Sequence, residues 1–175
     1  MQDSAPEGAA PAGELTFAQI LLAAAQEIEP NAALRDKSDR VTLQVPPAAI
    51  VKICKWLRDD PSYEMDMLYS HTAVDWPAEE RFELLYLLAS VGNPAAKLRG
   101  QQIMISTSVP RELPVVDTVC EVWPIAQWQE REVYDMFGVL YAHHPDLRRL
   151  FLEDDWVGFP LRKDYEDDFM LERPT

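Results

Sequence analysis

The spacing of apolar residues changes several times along the chain, and each change marks an element. Phe17, Ile20, Leu21, Ala24 and Ile28 recur at helical spacing, which predicts a helix opening at Thr16. Thr16 and Gln19 stand at capping-box separation, and Glu29, Pro30 and Asn31 supply the stop. VTLQV (41–45) alternates and predicts a short strand. Pro46 and Pro47 sit where a helix tolerates proline, in its first turn. The stripe that follows, Ile50, Val51, Cys54 and Leu57, is expected to face inward, with Lys52, Lys55 and Asp59 outward and Pro61 closing the helix.

Three strands are predicted next. YEMDMLYSHTAVDW (63–76) places Tyr63, Met65, Met67 and Tyr69 on one face. RFELLYLLASV (81–91) puts Phe82, Leu84, Tyr86 and Leu88 on one side and Leu85 and Leu87 on the other, the two-sided apolar pattern of a central strand. QQIMISTSV (101–109) is the third, and WPAEE and GNPAAKLRG are the turns between them. PRELP (110–114) breaks the pattern. From about Val115 the chain is expected to turn helical, to break at Pro124 and to resume to Phe137, with Gly138 as a left-handed stop.

Short links between the three strands favour antiparallel pairing. The element order therefore predicts an α+β domain of two layers: a mostly antiparallel sheet with helices on one face, plus an extended C-terminal tail. Residues 1–13, rich in Ala, Pro and Gly, read as a disordered lead-in, and 14–152 as a single α+β domain. Residues 153–175 carry eight acids and few periodic signals, so they are expected to stay extended and to gain order by docking on a partner.

Composition and charge narrow the function more than the fold. The 175 residues are 47% apolar, as in an ordinary globular protein. Thirty acids against sixteen bases give a formal charge of −14, which argues against nucleic acid or an anionic membrane surface as a direct partner. No apolar run approaches the roughly 20 residues of a membrane span. The start, MQDSAPEGAAPAGE, has neither a basic nor an apolar signal region, so a cytoplasmic location is expected. Cys54 and Cys120 are the only cysteines, both expected inside helices in apolar surroundings. Two thiols build neither a disulfide framework nor an ordinary four-thiolate iron–sulfur site.

The candidate chemistry lies in EREVYDMFGVLYAHHPDLRRL (130–150). On a helical wheel Ile125, Trp128, Val133, Met136 and Phe137 share one half, with Glu132 in its middle. A carboxylate there needs a partner, and Arg149 or Arg148, or a protonated His144, is expected to staple the helix to the following loop. Trp123, Trp128, Tyr134, Met136, Tyr141 and Trp156 crowd the same region, as aromatic and Met residues do at interfaces. A docking surface is thus weighed against a purely fold-stabilising ion pair. Catalysis is disfavoured. His143 and His144 are adjacent and diverge on an extended chain, with Asp146, Glu153 and Asp154 as the nearby oxygen ligands. HExxH, a Ser–His–Asp set and a Gly-rich phosphate loop are all missing. The competing readings are a stand-alone metal-dependent enzyme using His143 and His144, and an acidic adaptor with unrelated partners.

EREVYDMFG (130–138), HPDLRRL (144–150), DDW (154–156) and PLRKDY (160–165), with similarity running back through residues 68–91 and 115–135, resemble the signature of the C subunit of NADH–quinone oxidoreductase, complex I. The same subunit is called J in the chloroplast and cyanobacterial enzyme. The resemblance covers roughly residues 60 to 166. It implies a non-catalytic structural subunit of the hydrophilic arm of a proton-translocating NAD(P)H– or ferredoxin–quinone oxidoreductase. It implies no cofactor on this chain, in a complex that uses iron–sulfur clusters and a quinone, and FMN where the donor module carries a flavin. The implied partners are the quinone-site (D) subunit and cluster-bearing subunits, with the membrane met only through the complex. The implied place is peripheral, on the cytoplasmic side of an energy-transducing membrane. The positions carried over as signature and interface residues are Glu130, Arg131, Glu132, Tyr134, Asp135, His144, Asp146, Arg148, Arg149, Trp156, Arg162, Lys163 and Asp164. His143 departs from the pattern, because the family usually has glycine there.

Overall fold

The computed structural model describes residues 15–93, 98 and 100–167. The lead-in expected to be disordered, 1–13, and the end of the tail lie outside the described residues. The elements run α1 (Phe17–Ile28), β1 (Ala33–Leu34), β2 (Thr42–Gln44), α2 (Ile50–Asp59), β3 (Met67–Trp76), β4 (Arg81–Ala89), β5 (Gln102–Pro110), β6 (Val115–Asp117), α3 (Ala126–Phe137) and β7 (Leu140–Ala142). The Thr16 capping box forms as the sequence predicts: Gln19 N–H donates to Thr16 Oγ1 at 3.3 Å, and Thr16 N–H donates to Gln19 Oε1 at 2.8 Å.

The main sheet has the order β1-β2-β5-β4-β3. Its β1–β2, β5–β4 and β4–β3 pairs are antiparallel and its β2–β5 pair is parallel. This is a mostly antiparallel α+β arrangement. β4 lies centrally between its two partners, as its two-sided apolar pattern requires. Phe82, Leu84, Tyr86 and Leu88 are fully buried, in one core with Ile50, Ile53, Cys54 and Leu57 of α2 and Val133 and Phe137 of α3. Phe82 meets Phe137 edge-on at 6.1 Å. On the other face of β4, Glu83 is buried and bonded by Arg35, by the Ser106 hydroxyl at 2.6 Å and by the Trp76 indole at 3.2 Å.

Two expectations fail, each for a physical reason. Tyr63, Met65, Met67 and Tyr69 do not share a face: the first two are buried ahead of β3, whereas Met67 and Tyr69 are exposed. The chain turns at Glu64, with φ 46°, so strand alternation begins only at Met67 and puts Leu68 inward; an irregularity between Leu68 and Ser70 then moves the inward positions to His71, Ala73 and Asp75. One extra residue in a strand reverses every later side chain. Residues from Val115 are not helical either. They form β6, parallel to β7, with Val115 opposite Leu140 and Asp117 opposite Ala142. Cys120 therefore sits in a turn, not a helix, although it is buried. The partner strand lies 25 residues downstream, and local periodicity carries no trace of it.

Candidate functional site

Helix α3 positions the signature residues. It ends at Gly138, whose φ of 76° is the left-handed cap a glycine adopts without cost. A Cβ there would lie 2.5 Å from the Phe159 ring, so glycine also admits the close approach of the later chain. The buried stripe of the helix is Ala126, Glu130, Val133 and Phe137, at spacings of four, three and four, joined by Arg131 and Asp135. The wheel drawn around the largest apolar residues is out of phase: Ile125 is 46% exposed and Trp128 56%. Glu132 points to solvent and takes no part in a staple.

The staple exists, and Asp135 makes it. This fully buried carboxylate accepts the backbone N–H groups of Leu150, Phe151 and Leu152 on Oδ2 at 2.9, 2.7 and 3.0 Å. On Oδ1 it accepts Arg149 Nη1 at 2.8 Å. Burial opposes its charge, but the three amides and the guanidinium outweigh that cost and hold the carboxyl below its usual range. Arg149 reaches on with Nη2 to the Trp156 and Gly158 carbonyls at 3.0 and 3.3 Å. Arg131 donates to the Arg148 and Arg149 carbonyls at 3.1 and 3.0 Å, with its guanidinium 5.2 Å from the Trp128 ring centre. Arg148 itself is exposed and bonded to the Asp146 carboxylate at 3.0 Å.

Residues 144–164 thus form a strap over α3 and the sheet. Leu161 N–H bonds the Met136 carbonyl at 3.1 Å, and Arg162 Nε bonds the Phe137 carbonyl at 2.7 Å. The Arg162 guanidinium lies 5.1 Å from the Phe82 ring centre and 4.7 Å from that of Phe159. Lys163 N–H bonds the buried Asp75 at 2.9 Å, and Arg111 clamps Asp75 at 2.9 and 3.2 Å while also pairing with Asp164. Through residue 165 this stretch is bonded by the domain's own carboxylates and carbonyls. Trp156 keeps 38% of its surface exposed, and Tyr134 is half-buried.

A second cluster lies on the opposite edge of α3. Glu130 is fully buried. It accepts the Thr118 hydroxyl, the Val119 N–H at 2.8 Å and the Cys120 thiol at 3.4 Å. His144 Nε2 is 3.9 Å away. Burial pushes the Glu130 carboxyl up to about 7 and the Cys120 thiol up to about 12. Ligand atoms of Cys120, Glu130 and His144 lie within 4.8 Å of one another, a donor set zinc accepts. The bonding of His144 argues against such a site. Its Nδ1 accepts the Asp146 N–H at 3.0 Å, so the ring proton belongs on Nε2, which donates to the Gln127 carbonyl at 3.2 Å. A cation at Nε2 would drive that proton onto Nδ1, against the Asp146 N–H. His143 adopts φ 65° and stands 3.3 Å from Asp117, so it keeps the left-handed backbone that glycine favours at this turn.

Glu130 and Asp135 were legible as signature positions but not as the buried acids. The Ala126–Glu130–Val133–Phe137 spacing was the signal that would have found the first. Asp75 and Arg111, which sequence reasoning missed, have no local signal, because their bonds span 36 and 88 residues.

The charged motif is thus engaged in fastening its own chain. The comparisons with known proteins say what kind of chain this is. The family described as the 30 kDa subunit of respiratory-chain NADH dehydrogenase matches residues 43–168, and the chain belongs to that family. It is 41% identical over 126 residues to the C subunit of NADH-quinone oxidoreductase from Geotalea uraniireducens, covering 71% of this chain and 72% of that protein. The corresponding subunit of Geobacter metallireducens is 42% identical over 127 residues, covering 71% and 74%. Among solved structures, a chain of the archaeal membrane-bound sulfane sulfur reductase, a respiratory membrane complex, aligns with TM-score 0.65 and 26% identity over 88% of this chain and 95% of that one. A trypsin-resistant fragment of Nqo5 shares the fold, with TM-score 0.53 and 24% identity over 71% of this chain and 97% of the fragment.

Proposed function

We propose that this chain is a non-catalytic structural subunit of the hydrophilic arm of a complex I–type, proton-translocating quinone oxidoreductase. The observation that carries this reading is the engagement of the signature charges within the chain. Asp135, Arg131, Arg149 and Arg162 all bind the strap or the carbonyls beneath it. The strap in turn shows Phe151, Val157 and Leu161 to solvent, Val157 at 85% exposure. Apolar side chains on a bonded frame suit a surface that another subunit covers.

The partners in this reading are other subunits of the complex, the quinone-site (D) subunit and cluster-bearing subunits foremost, with 153–175 docking along them. Iron–sulfur clusters and quinone belong to the complex, with FMN where the electron donor is NADH. No helix among the described residues is long and apolar enough to cross a membrane. The subunit then meets the membrane only through its neighbours, on the cytoplasmic side. Likeness to both an NADH-quinone oxidoreductase subunit and a sulfane sulfur reductase chain suits a part that does not touch the electron donor. The metal-enzyme alternative gains no support, because both His144 nitrogens are engaged within the chain.

The test is purification in mild detergent through a tag on the N-terminus, with mass spectrometry of the eluate. Cluster-bearing and membrane subunits in fixed ratio are expected. A lone 20.0 kDa species, from cells that hold an intact complex without it, would overturn the assignment.

A further inference from the structure

Arg162 carries a charge that no carboxylate of the described residues bonds. Its Nε donates to the Phe137 carbonyl, and neither Nη group has an acceptor among the described residues. The guanidinium lies against the Phe82 and Phe159 rings, and Phe82 itself is fully buried. A second guanidinium, that of Arg111, stands 5.8 Å from the centre of the same Phe82 ring. Arg111 is bonded to both Asp75 and Asp164, so one cation of the pair is neutralised and the other is not. Burial and the Arg111 charge press against ionisation of Arg162 more than Asp164 and Asp75 support it.

Both guanidiniums line a cleft of about 520 Å³, with Pro77, Glu80, Pro110 and Glu112 around them. Glu80 and Glu112 are exposed, and neither carboxylate has a hydrogen bond or ion pair among the described residues. The Arg111 N–H donates to the Glu80 carbonyl at 2.8 Å, which ties that part of the rim to the wall. The cleft therefore shows an unanswered positive charge on its wall and two unanswered negative charges at its rim. It adjoins Leu161, the chain neighbour of Arg162 and part of the exposed apolar surface of the strap.

We propose, on the strength of the subunit role above, that this cleft is a docking socket for a segment of the neighbouring subunit that brings both signs of charge: an aspartate or glutamate seated on the Nη groups of Arg162, flanked by lysine or arginine facing Glu80 and Glu112. A guanidinium already set against aromatic rings offers its two Nη groups as a ready fork for a carboxylate. A small anion fits worse, since a free phosphate would meet two rim carboxylates for one unpaired guanidinium, on a chain of formal charge −14. A segment of one sign leaves either Arg162 or the two acids unanswered, and covering them would desolvate charge without a partner. Opposite charges placed this way also fix the register in which the neighbour lands on the strap.

The test uses the complex held in mild detergent through the tagged chain, beside the full chain alone. Carboxyl groups are labelled with a carbodiimide and glycine ethyl ester, and the modified residues are read by mass spectrometry. Glu80 and Glu112 are expected to label on the order of tenfold more slowly in the complex. Glu80→Lys combined with Glu112→Lys should leave the melting temperature of the full chain unchanged and make the complex dissociate at lower salt. Arg162→Lys, which keeps the charge but not the fork, should raise the dissociation rate on the order of tenfold. Should that variant fail to fold, the rim variant decides, because both of its sites are exposed. Equal labelling in the two states, or a rim variant that stays bound at the same salt, overturns the socket. So does a melting temperature of the full chain that inorganic phosphate raises and that Arg162→Lys no longer shows, which would mark a small-anion site. A chain recovered without any other subunit overturns the subunit role and the socket with it, whereas a complex whose Glu80 and Glu112 label freely overturns the socket alone.

Discussion

The two edges of helix α3 treat a buried carboxylate in opposite ways. On the strap edge, Asp135 meets three backbone amides and a guanidinium and stays ionised below its usual range. On the turn edge, five residues earlier, Glu130 meets a hydroxyl, one amide and a thiol, with no cation, and is pushed up to about 7. Both side chains are fully buried. Depth alone therefore does not set the charge. The number and kind of donors does, because each charge-assisted bond offsets part of the desolvation that depth imposes. The ionised acid makes a permanent fastening, and the under-supplied one has its proton affinity raised toward neutral pH.

Removing the permanent fastening has the largest expected effect. Asp135→Ala leaves Arg149 and three amides without their acceptor and should cost about 3–5 kcal/mol, the range for breaking a buried ion pair. Urea unfolding measures the loss, and trypsin should cut after Arg148 and Arg149 far sooner than in the unsubstituted chain.

The pH profile of stability separates the two edges next. Asp135 and Asp75 lie below their usual range, so their contribution is present above an ordinary carboxylate pKa and lost as pH falls through their lower folded values. Glu130 works the other way, and its contribution is lost as pH rises through about 7, at a cost on the order of 3 kcal/mol. His71, kept neutral by burial down to about 4, opposes Glu130, because its contribution is lost as pH falls below 6.5. Thermal melts should therefore change little between pH 4.5 and 6.5, and Glu130→Gln should make them rise with pH across that range; an unchanged profile in the variant would refute the Glu130 contribution.

Gly138→Ala attacks the strap edge from beneath. The left-handed backbone and the 2.5 Å approach to Phe159 predict a loss of about 1–3 kcal/mol, read as a lowered melting temperature. A smaller effect, about 1 kcal/mol, is expected for Arg149→Lys. A lysine keeps the charge near Asp135 but cannot also span to the Trp156 and Gly158 carbonyls. A double-mutant cycle with Asp135→Asn would isolate the pair. The smallest effect belongs to Glu132→Gln: an exposed acid without a staple should change stability by less than about 0.5 kcal/mol in the same melts.

Much of the frame was legible because it rests on short-range pattern. Thr16 and Gln19 announced the first helix, and Phe82, Leu84, Tyr86 and Leu88 announced the inward face of the central strand. The phase of α3 was not legible. Ile125 and Trp128 are the bulkiest apolar residues near its start, yet they face outward, and the small Ala126 marks the buried side. One residue of phase turns a wheel by about 100°, which exchanges Glu132 for its neighbours and moves the staple to Asp135.

The sequence by itself determined the α+β class, the family resemblance and the set of charged positions that matter. Those are properties of residue type and near spacing. Only the tertiary structure decided which acids are buried, which one keeps its charge, and that β6 pairs with β7. Each of those outcomes depends on donors and partners brought from 10 to 88 residues away, and desolvation is a property of the packed surroundings rather than of the residue.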